Sequence, residues 1–140
     1  MSDKFFLDTN IFTYSLEASL ITKASKARQL IRAAMATRQG IVSYQVVQEF
    51  FNVALRRFAA SMSYAEAESY FSTVFRPLLA VHSSPVVFLR ALQLTSRDRL
   101  SWYDSLIIAA AIEAQCEVLY SEDLQHGRKL EGLLIENPFR

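Results

Sequence analysis

The sequence predicts a single α/β domain with a short, mostly parallel sheet of four to five strands and helices on both sides of it. Short apolar runs alternate with helical patterns along the chain, as expected for β/α units and a parallel sheet. The helical patterns outweigh the strand-like runs several-fold, and those runs are too short and too widely spaced for a β-sandwich. Residues 1–140 contain no internal repeat or linker, and a chain of this length can bury roughly 68% of its unfolded surface.

The first part of the chain begins with a strand and continues into a helical pattern. Lys4–Asp8 is predicted to be a short buried strand, and Thr9 and Asn10 can cap the turn that follows. Alanine and larger apolar residues at intervals of three and four predict a helix over Ile21–Ala36. Gly40 lies just past this pattern and is expected to end the helix.

Two further helices are predicted in the middle of the chain. Ser43 is placed as the N-cap of a helix over about Tyr44–Ala59. The run Ser63-Tyr64-Ala65-Glu66 has the form of a capping box, which predicts a helix to about Phe75. Pro77 is expected to end that helix, because proline cannot continue the hydrogen-bond pattern.

The second half of the chain repeats the alternation of strand and helix. Ser84-Pro85 predicts a helix start with proline in the first turn. Ser101 is expected to cap a strongly apolar helix that runs to about Gln115. The strands predicted after the first are Ile41–Val42, Leu78–His82, Glu117–Tyr120 and a short fifth one over Gly132–Ile135.

Composition excludes several classes of protein. The longest fully apolar run, Leu106–Ile112, is far shorter than the roughly 20 residues of a membrane-spanning helix. The first apolar run is of strand length and follows Asp3 and Lys4, which does not resemble a secretory signal. The single cysteine, Cys116, excludes an internal disulfide. A cytoplasmic protein with no membrane partner is therefore expected.

Charge is unevenly distributed, although the formal net charge is only +1. Between residues 18 and 48 there is no acid, and the basic residues in that interval are Lys23, Lys26, Arg28, Arg32 and Arg38. A solvated helix face explains such a run. The alternative is a flank that follows a phosphate backbone beside an acidic centre.

Four acids distant in sequence are the candidates for that centre. Asp8 ends a predicted strand, Asp104 opens a helix, and Asp123 follows another strand. In a parallel α/β fold these positions converge on one crevice at the carboxyl edge of the sheet. Carboxylates gathered there repel one another unless a hard cation such as Mg²⁺ or Mn²⁺ joins them. The placement favours metal-dependent phosphoester chemistry, with Glu49 as a possible fourth ligand.

Each of these acids also has a purely structural interpretation. Asp8 can be a turn or cap residue, and Asp104 can belong to a capping box at the start of its helix. A helical wheel places Glu49 at the margin of its apolar stripe, which favours a solvated side chain. Spacing alone does not choose between Asp123 and its neighbour Glu122.

Four short segments resemble the acidic motifs of PIN-domain ribonucleases, and of the VapC-type toxins of bacterial toxin–antitoxin pairs in particular. They are Leu7-Asp8-Thr9-Asn10-Ile11, Gln48-Glu49-Phe50, Ser101-Trp102-Tyr103-Asp104-Ser105-Leu106-Ile107 and Leu119-Tyr120-Ser121-Glu122-Asp123-Leu124. The closing segment Ile135-Glu136-Asn137-Pro138-Phe139 is similar to the end of such chains. The resemblance covers nearly the whole chain in order, and it implies a PIN-like fold.

The resemblance also implies the site residues. The acids that would hold one or two Mg²⁺ or Mn²⁺ ions are Asp8, Glu49, Asp104 and Asp123. The polar residues that would support them are Thr9, Asn10 and Ser121. This implication selects Asp123 over Glu122 and overrides the helical wheel for Glu49, because a catalytic acid must reach a wet crevice.

The implied activity is endonucleolytic RNA cleavage that leaves 5′-phosphate and 3′-hydroxyl ends, with no side-chain nucleophile. The basic residues expected to guide the RNA backbone are Arg97, Arg99, Lys23 and Lys26. The aromatic residues placed to stack on bases are Tyr44, Trp102 and Tyr103, although the last two can instead pack within their helix. The resemblance further implies a homodimer and a partner antitoxin whose C-terminal segment enters the active groove.

Two alternatives remain open from the sequence. A haloacid-dehalogenase-like phosphatase also begins with an aspartate after a strand, but it normally has a second acid two residues later, where this chain has Asn10. The other alternative is a non-catalytic PIN-like binding module. Such modules usually lack part of the acidic quartet, and all four acids are present here.

Overall fold

A computed structural model describes residues 3–56 and 61–140, and its centre is a six-stranded sheet. The strands are β1 (Phe5–Leu7), β2 (Gly40–Ser43), β3 (Leu79–Val81), β4 (Val118–Tyr120), β5 (Lys129–Leu130) and β6 (Leu133–Glu136). Their order across the sheet is β3-β2-β1-β4-β6-β5. Every neighbouring pair is parallel except β5 and β6, which confirms the prediction of a mostly parallel α/β sheet.

Helices connect the parallel strands. They are α1 (Thr9–Ser15), α2 (Ile21–Thr37), α3 (Tyr44–Ala54), α4 (Tyr64–Tyr70), α5 (Arg76–Leu78), α6 (Pro85–Asp98) and α7 (Trp102–Glu113). A π-helical segment, Phe71–Phe75, joins α4 to α5. The capping box at Ser63 and Glu66 forms with both of its hydrogen bonds, and Ser84 and Ser101 cap α6 and α7 as expected.

The five predicted strands are present, and β5 is a sixth that the sequence pattern did not reveal. It contains only two residues and pairs antiparallel with β6 through the contacts Lys129↔Leu134 and Leu130↔Leu133. The two loop residues between them, Glu131 and Gly132, have φ values of 49° and 88°. Positive φ at both loop positions is the turn geometry that matches strand twist in a tight hairpin. The prediction of four to five strands was therefore one strand short.

The expectation that Pro77 ends its helix was wrong, because the helix continues through Pro77 to Leu78. Within the preceding π-helical segment the Arg76 N–H bonds to the carbonyl of Phe71, five residues back. A proline inside an α-helix lacks an N–H and collides with the carbonyl four residues earlier. The widened turn changes the position of those carbonyls, so the proline ring is accommodated.

Helix α3 begins at Tyr44 as predicted but ends at Ala54, with Leu55 as its C-cap. The prediction had extended it to about Ala59, and residues 57–59 of that extension lie outside the described residues. Helix α1 begins directly after Asp8, where the sequence had predicted only a capped turn. The chain thus passes from β1 into a helix without a loop, which fixes the direction of the Asp8 side chain.

The core lies around the middle of the sheet, and it places the strand ends that carry the polar residues. Phe6, Leu7 and Leu119 in β1 and β4 are fully buried, and Ile135 in β6 is nearly so. From β1 the chain builds outward through β2 and β3 on one side, and later through β4 and β6 on the other. The carboxyl ends of β1 and β4 therefore flank the point where the strand order reverses, which is where α/β proteins bind ligands. Within the described part of the chain, no helix is both long and apolar enough to cross a membrane.

We expect Gly40→Ala to destabilise the fold strongly. A Cβ atom at position 40 would lie 2.1 Å from the Cβ of Ala34 and 2.6 Å from its Cα. Because the backbone of α2 cannot yield as a side chain does, the expected loss is at the upper end of the roughly 1–3 kcal/mol typical of overpacking. Urea denaturation measures it.

Gly132→Ala is the matched control for this substitution. A Cβ at position 132 meets no atom of the described residues within 4 Å, so the strain of its φ of 88° is what opposes the change. That strain costs roughly 1–2 kcal/mol. A loss for Gly40→Ala no larger than that for Gly132→Ala would contradict the close approach of β2 to α2.

Candidate active site

Asp8 is held at the carboxyl end of β1 with its side chain buried, at 8% exposure. Its backbone N–H bonds to the Tyr120 carbonyl at 3.0 Å, which continues the β1–β4 pairing up to this residue. One carboxylate oxygen accepts from the Thr9 N–H at 2.7 Å, and Asp8 is thereby the N-cap of α1. The other oxygen accepts from the Ser121 hydroxyl at 2.7 Å. The capping interpretation of Asp8 is thus correct, and it coexists with a position in the crevice.

The environment of Asp8 raises its pKa from 3.8 to about 6. Burial is the largest cause, because it disfavours the charged form. The hydrogen bonds from Ser121 and Thr9 oppose this shift, while the negative charges of Glu49 and Asp123 add to it. Two of the other three predicted acids, Glu49 and Asp123, therefore lie close enough to Asp8 to act on it electrostatically.

The helical wheel had suggested that Glu49 projects into bulk solvent, and the structure shows that it does not. Its side chain is half-buried, and one of its oxygens accepts from the Thr9 hydroxyl at 2.6 Å. The other oxygen accepts from the Gln45 side-chain amide at 3.2 Å. The wheel describes the position of Glu49 on its own helix, but α1 packs against α3 and brings Thr9 to this margin.

Asp123 and Glu122 have separate environments, although they are adjacent in sequence. A side-chain oxygen of Asp123 accepts from the Asn10 amide at 3.1 Å, and its backbone N–H donates to the Ser121 hydroxyl at 3.2 Å. Glu122 instead accepts a hydrogen bond from the Tyr14 hydroxyl and forms an ion pair with Lys23 at 2.6 Å. Asp123 therefore belongs to the group around Asp8, while Glu122 is neutralised by a cation.

Asp104 lies at the border of this group. It is half-buried in the first turn of α7, and its backbone N–H donates to the Ser101 hydroxyl at 3.2 Å. Among the described residues, its charge is not one of those that raise the pKa of Asp8. Asp104 is linked to the group indirectly: the Gln45 amide donates to Glu49 and to the carbonyl of Tyr103, the residue before Asp104, each at 3.2 Å. The assignment of Asp104 as a ligand stays a prediction.

The donor chemistry of the site fits a hard divalent cation. Its side-chain atoms that can ligate a metal are oxygens, and among the described residues the side-chain amide oxygen of Asn10 is buried with no hydrogen-bond partner. A cation would offset the repulsion that Glu49 and Asp123 exert on Asp8. No three acidic, histidine or cysteine side chains in residues 3–56 and 61–140 are already close enough to form a ready metal-binding group. The site therefore suits a divalent cation by its charge and by its oxygen ligands, and not by a ligand geometry that is already formed.

The basic residues predicted to guide RNA occupy different surroundings. Lys23 is paired with Glu122 and lies 5.0 Å from the centre of the Tyr14 ring. Arg97 is bonded to Asp98 and Glu131 at 3.1 and 3.0 Å. Two of them are exposed and carry no such pair among the described residues, namely Lys26 and Arg99. Contact of any of the four with RNA stays a prediction.

Sequence reasoning missed two residues that organise the site, Gln45 and Tyr14. Gln45 lies four residues before Glu49 in α3, so the two share one face of the helix and can meet. The spacing of four residues could have indicated the contact between Gln45 and Glu49. Tyr14 reaches Glu122 across 108 residues of sequence, and no local pattern announces such a contact.

We expect Ser121→Ala to lower the activity of this site by roughly 10–100-fold, the usual cost of losing a group that orients a ligand. The Ser121 hydroxyl, which is fully buried, joins Asp8 to the Asp123 backbone. Its removal also deletes a bond that lowers the pKa of Asp8, so the acid limb of the pH–rate profile should move to higher pH. Ser25→Ala, on the exposed side of α2, is the control. An unmoved acid limb in Ser121→Ala would contradict this role.

Comparison with known sequences identifies one family along most of the chain. A family profile described as the PIN domain matches residues 5–129. None of the curated proteins compared with the chain matches it significantly. The matched range contains all four predicted acids and the three polar residues predicted to support them.

Solved structures share this fold at low sequence identity. One is a toxin–antitoxin complex from Klebsiella pneumoniae, with a TM-score of 0.67 and 18% identity over 96% of this chain and 98% of that one. Another is VapBC2 from Rickettsia felis bound to a DNA fragment from its promoter, with a TM-score of 0.63 and 16% identity over 95% and 97%. A third is VapC20 from Mycobacterium tuberculosis, described as a sarcin–ricin loop cleaving toxin, with a TM-score of 0.58 and 19% identity over 83% and 87%.

Proposed function

The chain belongs to the PIN-domain family, and from that premise we propose that it is a metal-dependent endoribonuclease, the toxin of a type II toxin–antitoxin pair. The observation that carries the proposal is the buried Asp8 at the switch point of the sheet. Its pKa is raised in part by Glu49 and Asp123, and it is bonded to two of the three predicted supporting residues, Thr9 and Ser121. This is the arrangement expected of a site that binds a cation and a polyanion.

In this proposal Asp8, Glu49, Asp104 and Asp123 hold Mg²⁺ or Mn²⁺. The bound ion would supply activation of water and neutralisation of charge on the scissile phosphate. Asp8 has to be ionised to bind a cation, so cation binding at low pH releases a proton from it. The Thr9, Asn10 and Ser121 side chains hold three of the carboxylates in place through hydrogen bonds. No serine, cysteine or histidine nucleophile is required.

The test is incubation of the purified protein with a set of labelled RNAs in Mg²⁺, in Mn²⁺ and in EDTA. We expect cleavage in the presence of either metal and none in EDTA, with products that carry a 5′-phosphate. Products that end in a cyclic phosphate would contradict attack by water. If no RNA is cut and calorimetry detects no Mg²⁺ or Mn²⁺ binding, the proposed function fails.

A partner antitoxin and a homodimer are part of the same proposal. Two of the similar structures are described as toxin–antitoxin complexes or as VapBC bound to promoter DNA, and the likeness of fold supports a similar partner here. Expression of this chain alone should arrest growth, and co-expression with the product of a neighbouring gene for a small DNA-binding protein should relieve the arrest. Light scattering of the purified chain tests the dimer.

A non-catalytic PIN module is the second candidate. The observation in its favour is that, in the described part of the chain, no three potential metal ligands already form a group. Binding of RNA with neither metal binding nor cleavage would support it. The phosphatase alternative has less support, because Asn10, at the position where that class has an acid, donates its amide to Asp123.

A further inference from the structure

A pocket of about 210 Å³ opens beside the acidic group, at the carboxyl ends of β2 and β3. Its residues come from those two strands, from the loop between β3 and α6, and from α3, α6 and α7. Those that matter here are Ser43, Tyr44, Gln45, His82, Phe88 and Tyr103. The residues that line it include three exposed aromatic side chains. Tyr44 is 38% exposed, Phe88 42% and Tyr103 66%.

The residues that line the pocket include one with an unsatisfied buried hydroxyl. Ser43 is 4% exposed, and its side-chain oxygen has no hydrogen-bond partner within residues 3–56 and 61–140. Ser43 is also the N-cap of α3, yet its hydroxyl makes no capping bond. A buried hydroxyl without a partner costs free energy. Ser43 is among the residues that line the pocket, so a ligand that reached this hydroxyl would supply its missing partner.

Charge and size limit the class of that ligand. Among the described residues, those that line the pocket include no aspartate, glutamate, lysine or arginine, so no lysine or arginine there neutralises a phosphate. The lining instead combines aromatic rings with amide, hydroxyl and imidazole groups. A volume of about 210 Å³ lies below the roughly 300–1,000 Å³ of pockets for drug-sized molecules. One neutral planar ring with hydrogen-bonding edges fits these limits.

Gln45 connects the pocket to the acidic group. It lines the pocket, and its amide contacts both Glu49 and the Tyr103 carbonyl at 3.2 Å. Tyr103 is followed directly by Asp104. A ligand in the pocket is therefore a near neighbour of the predicted metal ligands, on the side where Glu49 and Asp104 lie.

We propose that this pocket binds one unpaired base of the RNA, next to the phosphate that is cut. This inference rests on the proposed function for the identity of the polymer. The exposed Tyr103 ring stacks on the base, and the Ser43 hydroxyl bonds to its edge. The Tyr44 and His82 rings, 4.4 Å apart and edge to face, form another part of the wall. The packing alternative for Tyr103 does not account for a ring that is 66% exposed.

The first test combines one change in the protein with one change in the RNA, and it measures binding in EDTA so that no cleavage occurs. The probes are a fluorescent single-stranded RNA of mixed sequence and an abasic RNA of the same length, which keeps the phosphates and lacks the bases. Tyr103→Ala should weaken binding of the first by roughly tenfold, the size of effect that one base–aromatic stack produces. Binding of the abasic RNA should not change, because no phosphate contact is lost.

Tyr64→Ala is the matched control. Tyr64 is also an exposed tyrosine in the first turn of a helix that begins with a serine N-cap, at 79% exposure, and it does not line this pocket. The variant should bind both RNAs like the wild type. Equal losses for both RNAs in Tyr103→Ala, or no loss for either, would overturn the base pocket.

The second test uses one variant, Ser43→Ala, for which we expect unchanged or higher stability but lower affinity for RNA. Ser43→Ala removes an unpartnered buried hydroxyl and no capping bond, so the protein should be as stable as the wild type or more so. Its affinity for the base-containing RNA should nevertheless fall several-fold. A stable Ser43→Ala protein with wild-type affinity would overturn the assigned role of the hydroxyl.

These outcomes separate the pocket from the catalytic proposal. RNA binding that depends on the pocket, without metal-dependent cleavage, would support the base-binding pocket and contradict the proposed nuclease activity. Cleavage that is unaffected by Tyr103→Ala, together with wild-type binding, would keep the nuclease and reject the pocket. Wild-type protein that binds the base-containing and abasic RNAs equally well in EDTA would also reject the pocket.

Discussion

Asp8→Asn is expected to abolish metal-dependent RNA cleavage while making the metal-free protein more stable. The loss of activity should exceed the roughly 100-fold that marks the upper end of losing an orienting partner, because Asp8 is a direct ligand in the proposed site. The gain in stability follows from burial, which raises the pKa of Asp8 to about 6 by disfavouring its charged form. Cleavage assays with Mg²⁺ and thermal unfolding in EDTA measure the two effects.

The stability gain should depend on pH in a defined direction. A carboxyl group whose pKa is raised in the folded state binds its proton more tightly there than in the unfolded chain. The ionised Asp8 thus destabilises the fold fully above pH about 6, less between about 6 and 3.8, and not at all below 3.8. At neutral pH the penalty is up to about 3 kcal/mol. Asp8→Asn should therefore unfold at a higher temperature than the wild type at neutral pH, with the difference closing near pH 4.

The control for this variant is Asp3→Asn, at an exposed position outside the site. It should leave cleavage and its pH dependence unchanged. Cleavage by Asp8→Asn at the wild-type rate would contradict the mechanism. A less stable Asp8→Asn protein at neutral pH would contradict the account of the buried carboxylate, because the removed charge would then have been stabilising.

Asp123→Asn and Glu122→Gln are expected to have opposite consequences, although the two positions are adjacent. Asp123→Asn should reduce cleavage by more than about 100-fold with little change in stability, because Asp123 belongs to the group around Asp8. Glu122→Gln should retain cleavage and lose stability, because its carboxylate accepts from Tyr14 and pairs with Lys23. Cleavage rates and urea denaturation of the two variants test this.

The stability loss in Glu122→Gln should be about 1 kcal/mol or less, since the Lys23 side chain is 39% exposed and solvent screens the pair. It should shrink further at high salt. Loss of cleavage in Glu122→Gln with full cleavage in Asp123→Asn would reverse the assignment of the acid in the last motif.

The parts of the fold that could be predicted are those that depend on sequence patterns within a few residues. Ser63 and Glu66 announce their helix because the capping box satisfies two N–H groups within four residues. Asp8 was placed at a strand end by the apolar run before it, and the structure puts it there. By contrast, the π-helical segment that admits Pro77 and the two-residue strand β5 depend on neighbouring elements, so the sequence around them carried no signal.

The candidate site divides in the same way. Sequence by itself determined the α/β class, the strand end that carries Asp8 and the helix start that carries Asp104, because periodicity and caps act within a few residues. Family resemblance had selected Glu49 and Asp123 without giving their partners, and only the tertiary structure decided that Glu49 meets Thr9 across 40 residues and that Asp123 meets Asn10 across 113. Parallel strands joined by helical crossovers bring their carboxyl ends together, and that convergence is a property of the packed sheet.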